Sequence, residues 1–486
     1  MKIAGLDIGT TGCKCTVFDE RGSYLGKAYR DYPVRRDRSG HEIDAKVLMD
    51  SVWAVIAEMA AQYADIAGIG VTSFGETFVL TDAEGTPLYP SMLYTDPRGA
   101  EECAELVDHF GAERLAETTG LRPHEMYSLP KMMWLKRHHP EIWAKGKHVF
   151  QMEDYVVWHL THTAQISQSL ATRTMGLDIR TLEWNRDLYA AADVDISLMS
   201  RPVPGGTSAG KVTAEAAEKT GLSPESLVIS VGQDQVGAAI GAGAFDASVA
   251  VDGAGTVECL TPVYDQLPDA KAMYDGYFAI VPYVVPGKYV AYAFSYTGGA
   301  LIDWALKTFG AGKTNQQMEE AYGRDEPTGL LVLPHFAGAA TPYMDTGSRG
   351  AILGLTTAAR PADLYRACME GVAYEMRLNY EHLQASGVTF SHLNATGGGA
   401  RSKVWMQMKA DILNLPITAL KTADAGTVGS AIMTGIAVGL FRDLEDAARH
   451  MVEETETYLP RQDMHEKYMT IYERYKKLYN AVRPLM

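Results

Sequence analysis

Two turns rich in glycine and threonine are the first parts of this sequence that could do chemistry. One covers residues 9–12, directly after an apolar segment that contains Asp7, and Lys14 follows it. The other covers residues 253–256 and again comes after an apolar segment with an aspartate, Asp252. Glycine lets a backbone approach a phosphate closely, while N–H groups and threonine hydroxyls supply hydrogen-bond donors. The two turns predict phosphate binding, and a pair of ordinary hairpins is the alternative.

Charged residues beside the first turn suit the same chemistry. Asp7 lies at the end of its predicted strand and could hold Mg²⁺ through water, because Mg²⁺ accepts few carboxylates and keeps part of its hydration shell. Lys14 could neutralise phosphate charge. The turn leads into a strand, and the P-loop pattern G-x-x-x-x-G-K-[ST] does not occur in the sequence. The first turn is therefore not a P-loop.

Asp234 is the candidate for acid–base chemistry. It follows an apolar strand at residues 228–231 and precedes a helix of small residues. The carboxyl ends of strands in α/β folds usually face ligands, and a carboxylate there can accept the proton of an attacking hydroxyl. Aspartate is also a favoured N-cap of helices. The local sequence leaves both interpretations open.

A third glycine-rich turn, residues 397–402, precedes a helix whose first turn is polar. Three glycines followed by small residues could leave a flat slot for a base and a ribose. A plain connection between a strand and a helix is the alternative. The small residues at 426–439 predict a closely packed helix beneath this slot.

The order of predicted elements is α/β throughout. The aspartate, glycine and threonine theme recurs about half a chain apart, which predicts two similar lobes. We expect domains at residues 1–244 and 245–486, with mixed sheets because each opening hairpin is antiparallel. The predicted elements are strands within 2–19, at 65–73 and at 227–231, and helices at 129–139, at 236–243, from Pro361 onward, and from residue 403 to Pro416.

Composition excludes several classes of protein. A chain of 486 residues is too long for one ordinary core. The net charge of −16 argues against nucleic acid or an anionic membrane as a partner. Five scattered cysteines are no disulfide framework and fit a reducing compartment. Without a signal peptide or a long apolar run, we expect a cytoplasmic protein, with a homodimer as an open expectation.

Two longer stretches carry a resemblance to a known family. Residues 126–138 place Lys131 and Trp134 three positions apart, and residues 350–355 are followed by Asp363 and by the run 367–370. With the turns described above, these stretches make the chain resemble the FGGY carbohydrate kinase family over essentially its whole length. Cys368 departs from the second signature, conservatively in size.

The resemblance implies a fold and an activity. The fold is two ribonuclease-H-like, actin-like ATPase domains with mixed sheets flanked by helices, and the active site lies in the interdomain cleft. The N-terminal domain would bind the sugar and carry the catalytic base, and the C-terminal domain would bind the nucleotide. The activity is transfer of the γ-phosphoryl group of ATP to a hydroxyl of a small sugar, with ATP and Mg²⁺ as cofactors.

The resemblance also implies roles for individual residues. Asp234 would be the catalytic base and Asp7 would serve the metal. The implied nucleotide-binding residues are Thr10, Thr11, Lys14, Gly255, Thr256, Gly298, Gly299, Gly398, Gly399 and Ser402. The implied sugar-binding residues are Glu76, Thr77, Asp96, Arg98, Asp234 and Gln235.

The sugar-side stretch bears on the substrate. Glycerol kinases of the family typically carry an Arg-Glu pair there and xylulokinases Met-His, whereas this chain has Gly75-Glu76. The missing arginine leaves room for something longer than glycerol. Glu76 and Asp234 would make the pocket anionic and repel an aldonate unless Arg98 met its carboxylate.

We therefore expect a ketopentose such as xylulose as the substrate. A polyol or glycerol kinase of the same family is the alternative. Two further alternatives share the fold: a non-enzymatic actin-like nucleotide switch or sugar sensor, and a phosphohydrolase in which water replaces the sugar.

Overall fold

The computed structural model describes residues 1–38, 40–421 and 424–486. The strands are β1 Lys2–Ile8, β2 Gly12–Phe18, β3 Tyr24–Asp31, β4 Val34–Asp37, β5 Gly40–Ile43, β6 Ile66–Ser73, β7 Phe78–Thr81, β8 Ser91–Met92, β9 His148–Gln151, β10 Gln165–Ser167, β11 Arg201–Val203, β12 Thr207–Lys211, β13 Leu227–Gln233, β14 Val249–Ala254, β15 Glu258–Tyr264, β16 Val281–Pro282, β17 Tyr289–Val290, β18 Ala293–Ser295, β19 Leu331–Leu333, β20 Ala351–Leu353, β21 His392–Thr396, β22 Ile417–Leu420 and β23 Glu454–Tyr458.

The helices lie between these strands. They are α1 Ala45–Gln62, α2 Ala100–Phe110, α3 Ala112–Thr119, α4 Ser128–His138, α5 Pro140–Trp143, α6 Met152–Thr161, α7 Gln168–Thr172, α8 Arg186–Ala191, α9 Ala214–Thr220, α10 Asp234–Gly241, α11 Ala270–Asp275, α12 Gly299–Phe309, α13 Asn315–Tyr322, α14 Pro361–Ala385, α15 Lys403–Leu413, α16 Ala425–Ala437, α17 Leu444–Met451, α18 Gln462–Tyr475 and α19 Leu478–Val482. Among the residues described, no helix is both long enough and apolar enough to cross a membrane.

The chain forms two compact units. The N-terminal unit comprises residues 1–245, 280–290 and 424–452, and the C-terminal unit comprises residues 246–279, 291–423 and 453–486. Each unit is thus built from three separate stretches of chain. The division into domains at residues 244 and 245 stays a prediction.

A six-stranded mixed sheet forms the centre of the N-terminal unit, in the order β12-β13-β6-β1-β2-β3. β6 pairs in parallel with both β1 and β13, while β1, β2 and β3 pair antiparallel. In the first hairpin Asp7 lies opposite Lys14. Apolar side chains of β1 are buried, and Asp7 lies near the carboxyl end of the strand.

The sheet of the C-terminal unit repeats this plan. Its strands run in the order β15-β14-β21-β22-β23, and β18 pairs with the outer side of β15. β14 and β15 form an antiparallel hairpin, β21 and β22 continue in parallel, and β23 closes the sheet antiparallel. An opening hairpin followed by a parallel strand is common to both units, as the sequence repeat predicts.

Most of the predicted elements are confirmed with small shifts at their ends. The strand predicted at 65–73 is β6, and the helix predicted at 129–139 is α4. Pro361 occupies the first turn of α14, where its missing N–H costs nothing. The helix predicted at 236–243 starts earlier, at Asp234.

The position predicted for the small-residue helix is wrong. α16 packs against α10, β1 and β6 inside the N-terminal unit, whereas the glycine turn at residues 397–402 belongs to the C-terminal unit. Glycine makes this packing close: a Cβ on Gly429 would lie 1.9 Å from the carbonyl oxygen of Gly237, and one on Gly5 would lie 2.0 Å from that of Thr427. The helix therefore joins the N-terminal sheet through direct backbone approach.

Candidate active site

The hairpin of β1 and β2 holds the first predicted phosphate turn. Gly9 N–H donates to the carbonyl of Gly12 at 2.9 Å, and Tyr32 N–H donates to that of Thr11 at 3.2 Å. Thr10 is half-buried and Thr11 is exposed. A Cβ at Gly12 would lie 2.7 Å from the carbonyl oxygen of Arg30, so glycine is needed there. The turn is held by its backbone, and its threonine side chains lie at the surface of the unit.

Lys14 joins two carboxylates beside this turn. Its Nζ lies 3.1 Å from Asp7 Oδ2 and 3.3 Å from Asp424 Oδ1. Lys27 Nζ also contacts Asp424, at 2.7 Å. Burial raises the pKa of Asp7, and Lys14 partly opposes that shift. Two carboxylates and two ammonium groups thus form one charged cluster.

Asp234 is the first residue of α10, directly after β13. Its Oδ1 accepts from Gln235 N–H at 2.7 Å, and the residue before the helix is Gln233. An N-cap accepts from the second or third N–H of a helix, so the N-cap interpretation of Asp234 is wrong. The strand end before it is fixed by Thr72, whose hydroxyl donates to Gly232 at 2.6 Å.

The surroundings of Asp234 change its acidity. Burial raises its pKa to about 7, with smaller contributions from the negative charges of Asp7 and Glu76. The residue as a whole is half-buried. A carboxyl group with this pKa is ready to accept a proton near neutral pH. Gln235, next to it, is also half-buried.

Glu76 forms a buried ion pair that the sequence did not reveal. Its Oε1 accepts from Nε of Arg173 at 2.5 Å and lies 2.5 Å from Nη2 of the same guanidinium. Both side chains are less than a tenth exposed. Glu76 comes just after β6 in a left-handed conformation, φ 65°, and its neighbour Thr77 is fully buried.

Position 75 lacks the arginine of the Arg-Glu pair, as the sequence shows, but a guanidinium from elsewhere in the chain pairs with Glu76. Arg173 follows α7, 97 positions after Glu76, and supplies the guanidinium. Gly75 makes room for it, because a Cβ at that position would lie 2.9 Å from Cγ of Arg173. The glycine and the arginine are complementary, and the charge of Glu76 is balanced.

Asp96 and Arg98 form a second charged pair. Nε of Arg98 donates to Asp96 Oδ1 at 2.7 Å, and its Nη2 donates to Asp96 Oδ2 and to Glu42 Oε1, both at 2.6 Å. Asp96 also accepts from His41 N–H at 2.6 Å. The guanidinium of Arg98 is thus bound by two carboxylates of its own unit.

Tyr94 is a neighbour of the site that the sequence reasoning did not select. Burial raises the pKa of its hydroxyl, and the charges of Glu76 and Asp234 add to that shift. The residue remains 39% exposed. In the N-terminal unit, the charges of Asp7 and Glu76 thus act on Asp234, and the charges of Glu76 and Asp234 act on Tyr94. The only sequence signal for Tyr94 was its position two residues before Asp96.

The C-terminal unit contains a cavity of about 520 Å³ beside its opening hairpin. Six of the predicted nucleotide residues line it: Gly255, Thr256, Gly299, Gly398, Gly399 and Ser402. Gly298 adjoins it, since its N–H donates to the carbonyl of Thr256 at 3.0 Å. Gly397 has φ +91°, and a Cβ there would lie 2.7 Å from the carbonyl oxygen of Ala254. Three glycine turns therefore meet at one cavity.

Polar and flat side chains complete the lining, and the sequence reasoning missed them. They come from α12, α13, α14 and α15 and are Asp303, Asn315, Glu319, Tyr365 and Trp405. Ser402 caps α15 by accepting from Trp405 N–H at 3.1 Å, and its hydroxyl donates to Glu319 at 2.7 Å. Burial raises the pKa of Glu319. No local pattern marks these residues, because they are spread over four helices.

Comparison with known proteins identifies the family. The profile of the N-terminal domain of the FGGY family of carbohydrate kinases matches residues 2–241, and that of the C-terminal domain matches residues 254–438. The chain belongs to the FGGY family. The resemblance drawn from the signatures at residues 126–138 and 350–370 is confirmed.

Relatives match the FGGY chain from end to end. A xylulose kinase of Lactococcus lactis subsp. lactis is 27% identical over 486 residues, with 98% of this chain and 96% of the relative covered. Glycerol kinase 2 of Streptomyces avermitilis is 28% identical, with 93% and 92% covered. The crystal structure of xylulose kinase from Rhodospirillum rubrum superposes with a TM-score of 0.92 at 26% identity, covering 100% of this chain and 99% of that one.

Membership of the FGGY family decides the class of reaction. The protein is a carbohydrate kinase, a phosphotransferase that uses ATP to phosphorylate a sugar. The expected two-domain fold, with mixed sheets flanked by helices, is confirmed as well. The roles assigned to single residues stay predictions.

Proposed function

We propose that this FGGY kinase phosphorylates a ketopentose, xylulose, with Asp234 as the general base. The observation that carries the catalytic part is a carboxyl group with a pKa of about 7 on a half-buried residue, directly after β13. Support for the sugar comes from the curated relatives named xylulose kinase, which match over nearly the whole chain. The relatives named glycerol kinase support the alternative substrate.

Asp234 would accept the proton of the sugar hydroxyl as that oxygen attacks the γ-phosphorus. Phosphoryl transfer requires mostly positioning and charge neutralisation from the protein. The base needs a pKa near the working pH to be ionised and still hold a proton well. The value for Asp234 satisfies both conditions.

The Glu76–Arg173 pair would position the sugar. A carboxylate whose one oxygen is fixed by an arginine can accept a hydroxyl hydrogen bond in a defined direction. Thr77, Asp96, Arg98 and Gln235 belong to the same proposed sugar side. Arg98 is bound by Asp96 and Glu42, so its guanidinium is already paired. An aldonate is disfavoured, because its carboxylate would face the charge of an ionised Asp234.

The cavity of the C-terminal unit would bind the adenosine part of ATP. Gly397, Gly398 and Gly399 leave one wall without side chains, and the carboxylates of Asp303 and Glu319 suit ribose hydroxyls as acceptors. Gly255, Thr256, Gly298 and Gly299 would bind phosphate through backbone N–H groups.

Mg²⁺ is proposed at Asp7. Within the residues that the structure describes, no group of three or more His, Cys, Asp or Glu side chains forms a complete metal cage. Mg²⁺ bound to a nucleotide is usually held by one or two carboxylates, water and phosphate oxygens. Asp7 and Asp424, joined by Lys14, fit that donor set. The ion would neutralise the charge of the transferring phosphoryl group, while Lys14, Thr10 and Thr11 bind its oxygens.

The test is an ADP-coupled screen of the purified protein. It compares xylulose with ribulose, hexuloses, four- to six-carbon polyols, glycerol and gluconate. We expect the highest kcat/KM for xylulose and no turnover of gluconate. Equal turnover of glycerol and the pentuloses would contradict the ketopentose proposal. ATP hydrolysis that ignores every sugar would favour a nucleotide switch or a phosphohydrolase.

Two further expectations accompany this proposal. A cytoplasmic location is supported by the cysteines, because all five are buried and none forms a disulfide. A homodimer remains a prediction, which light scattering of the purified protein would test.

A further inference from the structure

Lys409 is a fully buried lysine of the C-terminal unit. It lies on α15, and its Nζ is 2.7 Å from Asp252 Oδ2. The same Nζ donates to Glu258 Oε1. It also lies 4.4 Å from the centre of the Trp405 ring, one turn earlier on the helix. A single ammonium group therefore contacts three side chains, all of them buried.

The two carboxyl groups lie on either side of the second phosphate turn. Asp252 is on β14 before the turn, and Glu258 begins β15 after it. Glu258 also approaches the next glycine turn, because a Cβ on Gly298 would lie 2.8 Å from its Oε2. Gly299 N–H donates to the carbonyl of Gly255 at 2.8 Å. Lys409 thus joins both ends of a hairpin to which the Gly298–Gly299 turn is bonded.

Trp405 connects the same ammonium to the opposite side of the cavity. Its ring lines the cavity and supports the third glycine turn, since a Cβ on Gly399 would lie 2.8 Å from the ring. Its indole N–H donates to the carbonyl of Met369, another lining residue, at 3.3 Å. The ring is therefore held in place between the lysine and the glycine turn.

Stability alone does not account for this cluster. A buried charge is costly, and apolar residues of similar volume often stabilise a core as well or better. Burial, followed by the charge of Asp252, raises the pKa of Glu258 well above its usual range. With Glu258 protonated the cluster is neutral. What such a cluster adds over an apolar core is fixed direction, because each hydrogen bond restricts the position of its partners.

We propose that Lys409 is a positioning residue for the nucleotide. Through Asp252 and Glu258 it fixes the Gly255–Thr256 turn, and through Trp405 it fixes the glycine turn at residues 397–399. The distance between these turns sets the width of the cavity. This inference rests on the proposed function, which assigns the cavity to ATP.

The test separates positioning from stability. Lys409→Met leaves Asp252 charged and unpaired, so we expect a lower Tm. Lys409→Met combined with Asp252→Asn removes both charges and should recover most of that Tm. Binding of ATP to each full-length protein is measured by calorimetry, together with KM for ATP and for xylulose. We expect the double variant to bind ATP about 10-fold more weakly, with the KM for xylulose unchanged.

Glu375→Gln is the matched control. Glu375 is a buried carboxylate of the same unit on α14, bonded to His335 at 3.0 Å and to Tyr475. We expect its replacement to lower Tm and leave the affinity for ATP unchanged. The inference is overturned if the double variant binds ATP as tightly as the wild type, or if Glu375→Gln weakens binding equally.

The two proposals can fail separately. If the wild type binds ATP and phosphorylates no sugar, the proposed function fails, and the variant affinities still decide the role of Lys409. If xylulose is phosphorylated and the double variant binds ATP normally, the role of Lys409 fails alone. A wild type that binds no ATP in the calorimeter overturns both.

Discussion

At the scale of single residues, Asp234 places opposite demands on stability and on chemistry. Its pKa is about 7 in the folded protein, against an ordinary value of 3.8. Between these pH values an unfolded chain has released the proton and the folded chain has kept it. The stabilising contribution of this group is therefore complete below about pH 4 and is lost as the pH rises through 7. Above pH 7 the folded protein holds a carboxylate where burial disfavours its charge.

Replacing Asp234 by Asn should therefore separate stability from activity. The neutral amide removes the cost of the charge, so we expect a higher Tm than the wild type at pH 8 and a smaller difference at pH 5. Loss of the base should lower kcat by about 10²-fold or more and leave ATP binding unchanged. Thermal scans at both pH values and initial rates provide the measurements. A mild effect on kcat would mean that Asp234 is not the base.

The pH dependence of the rate of the wild type tests the role of Asp234 without replacing the residue. A base works only when ionised, so we expect kcat/KM to rise with pH, to reach half of its maximum near pH 7 and to level off above about pH 8. The midpoint follows from the pKa of Asp234. The residual activity of Asp234→Asn should lack this rise. A wild-type profile that is flat between pH 5 and pH 8 would contradict the assignment.

The Glu76–Arg173 pair allows a double-mutant test. Both side chains are buried, so Arg173→Met leaves a carboxylate without its cation, and we expect the free energy of unfolding to fall by about 3–5 kcal/mol. Glu76→Gln combined with Arg173→Met should recover most of this loss. Urea denaturation measures both variants. If the double variant is no more stable than Arg173→Met, the pair does not interact as the structure indicates.

These residues differ in how far the sequence could predict them. Asp234 and Glu76 each follow an apolar strand, and the ends of strands can be recognised locally. Arg173 could not be found in this way, because it lies 97 positions from Glu76 and only the folded chain brings them together. The sequence suggests that an arginine is missing at position 75. In the structure, the small size of Gly75 leaves the space that Arg173 occupies.

At the scale of elements, local patterns predicted the helices and strands and failed to predict their partners. The Gly/Thr hairpins and α14 follow from turn residues and helical spacing. The small residues of α16 also predicted a helix correctly, yet placed it in the wrong unit. A stripe of small residues indicates a close neighbour without indicating which element it is. That neighbour is α10, nearly 200 positions earlier in the chain.

Gly429→Ala tests this close contact. In an ordinary helix, alanine would stabilise by about 1 kcal/mol over glycine. Here its Cβ would lie 1.9 Å from the Gly237 carbonyl oxygen, so the helices must move apart, and we expect a net loss of about 1–3 kcal/mol. Because α10 begins at Asp234, kcat should fall as well.

Ala238→Gly on the half-buried face of α10 serves as the control for Gly429→Ala. It should cost about 1 kcal/mol, the ordinary helix propensity of glycine against alanine. Denaturant midpoints measure both variants. If Gly429→Ala proves more stable than the wild type, the backbone contact between the two helices is not as close as the structure describes.

At the scale of the whole molecule, the path of the chain limits how it can be divided. The N-terminal unit takes residues 424–452 from the far end of the chain, including α16 and α17. α16 is largely buried and covers α10, β1 and β6. A fragment of residues 1–245 would expose that surface to water, although it contains every strand of the six-stranded sheet.

We therefore expect the fragment 1–245 to lack a cooperative thermal transition. A chain that joins residue 245 to residues 424–452 through a short Gly/Ser linker should regain a cooperative transition. The linker can be short because the end of α10 and the start of α16 already meet. A Cβ on Gly241 would lie 1.9 Å from the carbonyl oxygen of Ala425. Its Tm should stay below that of the full chain, since it lacks the β16–β17 hairpin, where Tyr283 donates to Ala244 at 2.6 Å. Calorimetry and near-ultraviolet circular dichroism compare the two. If the fragment 1–245 alone unfolds as sharply and at the same temperature as the linked chain, α16 is dispensable for the N-terminal unit.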